Sequence, residues 1–214
     1  MTVNLKSLIG KLNETTRNAL EGAAGLCLSR THYDIEIEHF LLNLLDAQDS
    51  DLMRIIQHFG VDKSRFTGEL TRGLDKLKTG NARNPVLSPS LVKMLTTGWT
   101  VGSVDYNAGQ IRSGFAIVAL LTEEELVRIA RDFSRELQMI QPEALKREFS
   151  AIVSGSPEDS QTAAAAATPG AGSAVPSRPA AGALLPDDPD RPVVASGPRQ
   201  QDFEWPAHRA ETRR

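Results

Sequence analysis

Aromatic residues are scarce in this chain of 214 residues, 5% of it against 40% hydrophobic residues overall. The core therefore has to be built from Leu, Ile and Ala, which leans toward helices packed on helices. Cysteine is nearly absent. The single Cys27 excludes an intramolecular disulfide and fits a reducing compartment. No apolar run reaches the about 18 residues needed to span a bilayer. The N-terminus has no continuous apolar stretch ending in a small-residue cleavage site, so no secretory signal is read. A formal net charge of -3 gives no electrostatic reason to expect nucleic acid or an acidic membrane surface as a partner. The expected location is the cytoplasm.

Nucleotide chemistry is missing too. A phosphate cradle needs G-x-x-x-x-G-K-[ST], and the only Gly-Lys pair, Gly10-Lys11, is followed by Leu12 with no glycine five positions earlier. No stretch alternates apolar and polar residues for long enough to read as a strand. What is there is helical periodicity. Thr15, Ala19, Leu20, Ala23, Leu26 and Cys27 make one apolar face, and Ile37, Phe40, Leu41, Leu44 and Leu45 a second. Leu52, Ile55, Ile56 and Phe59 make a third, and Phe66, Leu70, Leu74 and Leu77 a fourth. Gly60 is placed to stop the third helix and Asp62 to cap the fourth. After the connector Thr79–Pro85 the series restarts: Ser88-Pro89 reads as an N-cap with proline at the first helical position, and Thr122–Glu125 as a capping box.

The restart is a repeat. Residues 12–20 lie over 87–95 at an offset of 75, which also sets Phe40 on Phe115 and Leu45 on Leu120. The two copies run from about residue 12 to 78 and from 87 to 152. Neither can bury its apolar face alone. The expected fold is all-α, two four-helix repeats with pseudo-twofold symmetry in one domain over residues 1–153. From 154 to 214 the composition turns to Ala, Pro and Gly, with most of the twelve prolines, and too few large apolar groups remain to offset the ordering entropy. This stretch is read as a disordered linker or tail, in which Phe203 and Trp205 are isolated aromatics.

One helix has no counterpart. Leu5, Leu8, Ile9 and Leu12 fall at helical spacing, while the same positions in the second copy hold the broken connector TGNARNPVL. Such a stripe either completes the core or forms one wall of a groove for a partner helix, with Lys6 and Lys11 at the rim. Gly10 weakens the helix by roughly 1 kcal/mol relative to alanine but lets a partner approach.

Other candidates for chemistry weigh less. His32, His39 and His58 with Asp34, Glu36 and Glu38 are the one dense set of potential ligands, but no H-x-x-x-H pair sets two of them on one helix face. Capping and solvation suffice for them. Cys27 with His39 would make a nucleophile and base, yet Cys27 sits on the apolar face with Leu20 and Ala23, where a cysteine is a small hydrophobe. No catalytic, metal or cofactor residue is assigned.

The stretches NLKSLIGKLNETTRNALE, AGLCLSRTHY and IEHFLLNLLD, with Asp105-Tyr106 and Gly155–Asp159 (GSPED), resemble the N-terminal domain of Clp-type AAA+ unfoldases over residues 1 to about 160. The leading helix and CLSRTHY look more like the branch that serves bacterial type VI secretion. The resemblance implies a recognition domain without enzymatic activity of its own. It would capture the N-terminal helix of the larger subunit of the contractile type VI secretion sheath, so that ATPase rings can dismantle contracted sheath. The peptide groove implied for it involves the extra helix, here Leu5, Leu8, Ile9 and Leu12, and hexamers would form only through attached AAA+ modules. The departure is the missing Walker motif, and the alternative is a free-standing regulator or adaptor that binds client peptides without an ATPase.

Overall fold

Short polar side chains that take up unpaired backbone N–H groups mark most of the helix starts. In the computed structural model, which describes residues 4–159, Asn4 opens α1 (Leu5–Ile9) and Asn13 opens α2 (Glu14–Ser29), accepting from the Ser7 and Thr16 amides at 3.1 and 2.9 Å. Glu36 opens α3 (Ile37–Asp46) through a reciprocal box with His39. Ser50 caps α4 (Asp51–His58) and Asp62 caps α5 (Lys63–Leu74). Gly60 takes φ +68° after α4, and the Val61 amide then reaches back to the Ile56 carbonyl at 2.8 Å, a Schellman-type stop. Ser88 with Pro89 opens α6 (Pro89–Asp105), as the sequence predicts.

Three further helices follow: α7 (Ser113–Thr122), α8 (Glu124–Phe133) and α9 (Pro142–Ile152), with a 3-10 turn at Glu136–Met139 before the last. The capping box expected at Thr122 does not form. Thr122 closes α7, its hydroxyl bonding back to the Val118 carbonyl, and Glu123 becomes the N-cap of α8 without a side-chain bond.

The helices α2–α5 and α6–α9 are the two copies, and they are interlocked rather than merely stacked. Strand β1 (Asp34–Ile35) lies between α2 and α3 in the first copy. It pairs in parallel with β2 (Val86–Leu87), which precedes α6 in the second. The reverse exchange is a single bridge between Leu12, ahead of α2, and Ile111, ahead of α7. The hydrogen bonds match: the Ser88 amide donates to the Ile35 carbonyl at 3.1 Å, and the Asn13 amide to the Ile111 carbonyl at 3.0 Å. Each copy's leading residue is thus held by the other copy, so neither has a complete backbone register alone.

The core is drawn mainly from α3 and α7. Every residue of α7 from Ser113 to Leu121 is buried, as are Phe40, Phe66, Phe115 and Phe149. Phe115 stacks between Tyr106 and Phe149, with ring centroids at 5.3 and 5.1 Å. Three of the five aromatics of the second copy, Tyr106, Phe115 and Phe149, are gathered at one point, where α6 and α7 run close together because Gly98 and Gly102 present no side chain to Phe115.

Two further expectations change. The stripe of four does not form one helix: α1 ends at Ile9, Gly10 caps it, and Leu12 lies in the inter-copy bridge. The boundary expected at 153 also moves, since Ser156 and Glu158, placed in the tail by composition, are buried. The rest of the expected tail, with its alanine run, Phe203 and Trp205, lies outside the described residues. No helix among the described residues is long and apolar enough to cross a membrane.

A Cβ at residue 102 would come within 2.5 Å of the Phe115 ring, whereas one at residue 25, mid-α2, meets nothing within 4 Å. Gly102→Ala is expected to destabilise by about 1–3 kcal/mol through overpacking. Gly25→Ala is expected to stabilise by about 0.5–1 kcal/mol through helix propensity alone. Urea-unfolding midpoints check both signs.

Candidate functional site

Helix α1 rests against α6 of the second copy. Its side chains divide by direction. Leu8 is 6% exposed and Leu12 fully buried, and both belong to the core cluster; Leu5 is 42% exposed, and Ile9 is half-buried against that core. Leu5 and Ile9, four residues apart, therefore face outward on one edge while Leu8 faces inward. Beyond the helix end, the Lys11 ammonium lies 4.9 Å over the half-buried Trp99 ring of α6, a cation–π contact. Arg17 reaches back to the Leu12 carbonyl at 3.3 Å. Among the described residues Lys6, Lys11 and Arg17 enter no ion pair; Lys6 lies on α1 itself, and Lys11 and Arg17 are held near its foot.

The structure thus places the four predicted groove residues in one region and in two environments, Leu8 and Leu12 buried, Leu5 and Ile9 less so. The sequence already held the signal for Leu12: in the repeat alignment it falls on Leu87, a strand residue of the other copy. Trp99 and its contact with Lys11 were not singled out by periodicity, because Trp99 lies on the rim of α6, off its buried face.

The histidine and cysteine candidates form a buried structural knot. His39 Nδ1 accepts from the Glu36 amide at 3.0 Å, which leaves the proton on Nε2 to be donated to His32 Nδ1 at 2.8 Å. Burial, then the neighbouring His32 and Arg30, lower the His39 pKa to about 4, and burial also lowers that of His32. Cys27 points its thiol at the Asp34 carbonyl, 3.3 Å away, and burial pushes its pKa up to about 11. A thiol so placed stays protonated and is no nucleophile. His58 is elsewhere, on α4, 3.7 Å from Glu148 of α9. Among the described residues no group of three or more His, Cys, Asp or Glu side chains is arranged to hold a metal ion.

A second buried polar cluster was not legible as such. Arg112, the N-cap of α7, pairs bidentately with Asp51, Nε to Oδ2 at 2.7 Å and Nη2 to Oδ1 at 2.9 Å, and its Nη1 reaches Asp159 at 2.8 Å. Glu158 is fully buried and accepts from the Asp51 amide (2.8 Å), the Ser113 amide (2.7 Å), the Ser113 hydroxyl and the Asn13 side-chain amide (2.8 Å). Burial, followed by the Asp51 charge, raises the Glu158 pKa, while the Ser113 and Asp51 donors pull it the other way. Arg54 grips the same segment through the Ser154 and Gly155 carbonyls at 2.7 and 2.9 Å. With its oxygens taken by the chain's own donors, this carboxylate serves as a pin.

The Clp repeat (R) N-terminal domain family matches residues 11–125, more than half of the chain. The AAA+ ATPase ClpV1 of Pseudomonas aeruginosa is 32% identical over 168 residues, which are 77% of this chain and 19% of that protein. The chain therefore spans about a fifth of the length of that curated relative. The N-domain of ClpV from Vibrio cholerae superposes with a TM-score of 0.64 at 29% identity, covering 74% of this chain and 94% of that one. A complex of a ClpV N-domain with a VipB peptide superposes at 0.63 with 30% identity, covering 74% and 96%.

The buried imidazoles give stability a pH dependence of defined sign. The folded pKa of His39 lies below the ordinary imidazole value of 6.5, at about 4. The unfolded chain therefore binds the extra proton first, and stability falls as pH drops through that window. A loss on the order of 2–3 kcal/mol is expected. Denaturant midpoints measured across the window check it, and His39→Gln is expected to flatten the slope.

Proposed function

Because the chain belongs to the Clp repeat N-terminal domain family, we propose that it is a recognition domain that binds an amphipathic helical segment of a client along α1. The observation that carries this reading is the division of α1: Leu8 seats the helix in the core and leaves Leu5 and Ile9 as an apolar edge on a helix that rests against α6. An isolated helix of five residues has no stability of its own, so it persists only because the domain holds it. Leu5 is left to a partner. The proposed contact residues are Leu5 and Ile9, while Leu8 and Leu12, expected from sequence to line the groove, position that edge from beneath.

The chemistry of the border selects the partner. Lys6, Lys11 and Arg17 favour a segment that brings carboxylates, or the negative end of its own helix, next to its apolar anchors. We assign as client the N-terminal helix of the larger subunit of the type VI secretion sheath, in the cytoplasm, where capture would serve disassembly of contracted sheath by an ATPase ring. The complex of a ClpV N-domain with a VipB peptide supports peptide capture by this fold. In this reading the domain performs no chemistry. ATP hydrolysis would belong to AAA+ modules of the kind that the relatives' names indicate.

A synthetic peptide of that sheath helix is expected to bind with a Kd in the micromolar range, about -8 kcal/mol, more weakly as ionic strength rises. Leu5→Asp and Ile9→Asp are each expected to weaken binding by at least about tenfold in a folded protein. Leu8→Ala should instead lower stability by about 2–5 kcal/mol. Calorimetric titration alongside thermal unfolding separates the two effects. Unchanged affinity in both Asp variants would remove α1 from the reading.

A further inference from the structure

The two inter-copy pairings are related by pseudo-symmetry, but their helix caps are not equivalent. At the first, Glu36 is the N-cap of α3, forms the box with His39, and its carboxyl also bonds Ser88, the N-cap of α6. At the second, the N-cap of α7 is Arg112, a cation with no acceptor to offer, and its neighbour across the bridge is Asn13, the N-cap of α2. Asn13 has already committed its oxygen to the Thr16 amide. The carboxylate missing from this position is supplied from 46 residues further along the chain than Arg112, by Glu158. It takes the Ser113 amide at the start of α7, the Asp51 amide at the start of α4, and the Asn13 Nδ2.

We propose that Glu158 is the positioning residue for α1: the segment 154–159 is a strap that replaces the absent cap, and its withdrawal releases the Leu12–Ile111 bridge on which α1 stands. Glu158 touches the two sides of that bridge, Asn13 next to Leu12 and Ser113 two residues after Ile111. Arg54 and Arg112 hold the strap from either side of it. The coupling runs both ways: a client that tightens α1 tightens the strap, and a pull on the strap loosens the client surface. The consequence for client binding rests on the function proposed above. The mechanical link between strap and bridge does not.

The test is hydrogen exchange on the full chain, which carries an internal control in its own symmetry. The Asn13 and Ile111 amides close the second bridge, bonding the Ile111 and Lys11 carbonyls, and the Ser88 amide closes the first. Glu158→Gln keeps the shape but presents an N–H donor to a ring of donors. Exchange at residues 13 and 111 is expected to speed by at least about tenfold while Ser88 is unchanged. Asn13→Ser keeps the cap to Thr16 and deletes only the bond to Glu158, so it reads the same link if Glu158→Gln fails to fold. Equal acceleration at Ser88, or no acceleration at residues 13 and 111 in either variant, overturns the proposal. The sheath peptide is then titrated into both variants. Affinity reduced relative to the unaltered chain supports the coupling, and unaltered affinity overturns its functional half. If the unaltered chain itself binds no peptide, the recognition reading fails while the exchange result stands.

Discussion

Everything in this domain depends on two backbone hydrogen bonds that cross between the copies, from Ser88 to Ile35 and from Asn13 to Ile111. Both donors are helix N-caps, so each bond joins the start of an outer helix, α6 or α2, to the turn that launches a central one, α3 or α7. Fixing those turns aims α3 and α7 into the middle of the molecule. There the unbroken burial of α7 from Ser113 to Leu121 becomes possible. A helix so enclosed has no water to satisfy its first amides, and every one must find a protein acceptor. The polar clusters around His39 and Glu158 are two answers to that one requirement.

The answers differ because the copies have diverged. Where Glu36 serves at one crossing, Arg112 has taken its place at the other, and the charge logic inverts. A buried guanidinium demands carboxylates, and Asp51, Asp159 and the neighbouring Glu158 gather there. Such buried charges add little net stability over a hydrophobic replacement, yet breaking one partner away is costly. The arrangement therefore fixes which strands pair and which chain segment closes them. The same divergence gave the first copy α1, laid on α6 in a place for which the second copy has only connector.

Much of the fold was legible in the sequence, because a repeat states the same helices twice. The offset that set Phe40 on Phe115 located eight helices, and Ser88, Asp62 and Gly60 set three of their ends as read. Two local rules misled. Apolar spacing carried the leading stripe through to Leu12, while Gly10 ended the helix first; the repeat alignment, which matched Leu12 with a strand residue, was the better guide. Thr122 looked like a cap and was instead the end of the preceding helix. The resemblance took in Gly155–Asp159, but composition hid the strap's contacts for another reason. Glu158 bonds residues 145, 107 and 45 positions away, and a Ser-Pro-Glu-Asp run at the edge of a proline-rich stretch has the composition of a linker. The clue that remained was Arg112 itself, a cation at a helix start with no acceptor of its own.

The strap also fixes where the described chain closes. Glu158 meets Asn13 directly, so the segment that follows α9 returns to the corner where α1 has ended and α2 sets out. The foot of α1 and the close of the described chain therefore share one corner of the domain, joined through a single buried carboxylate.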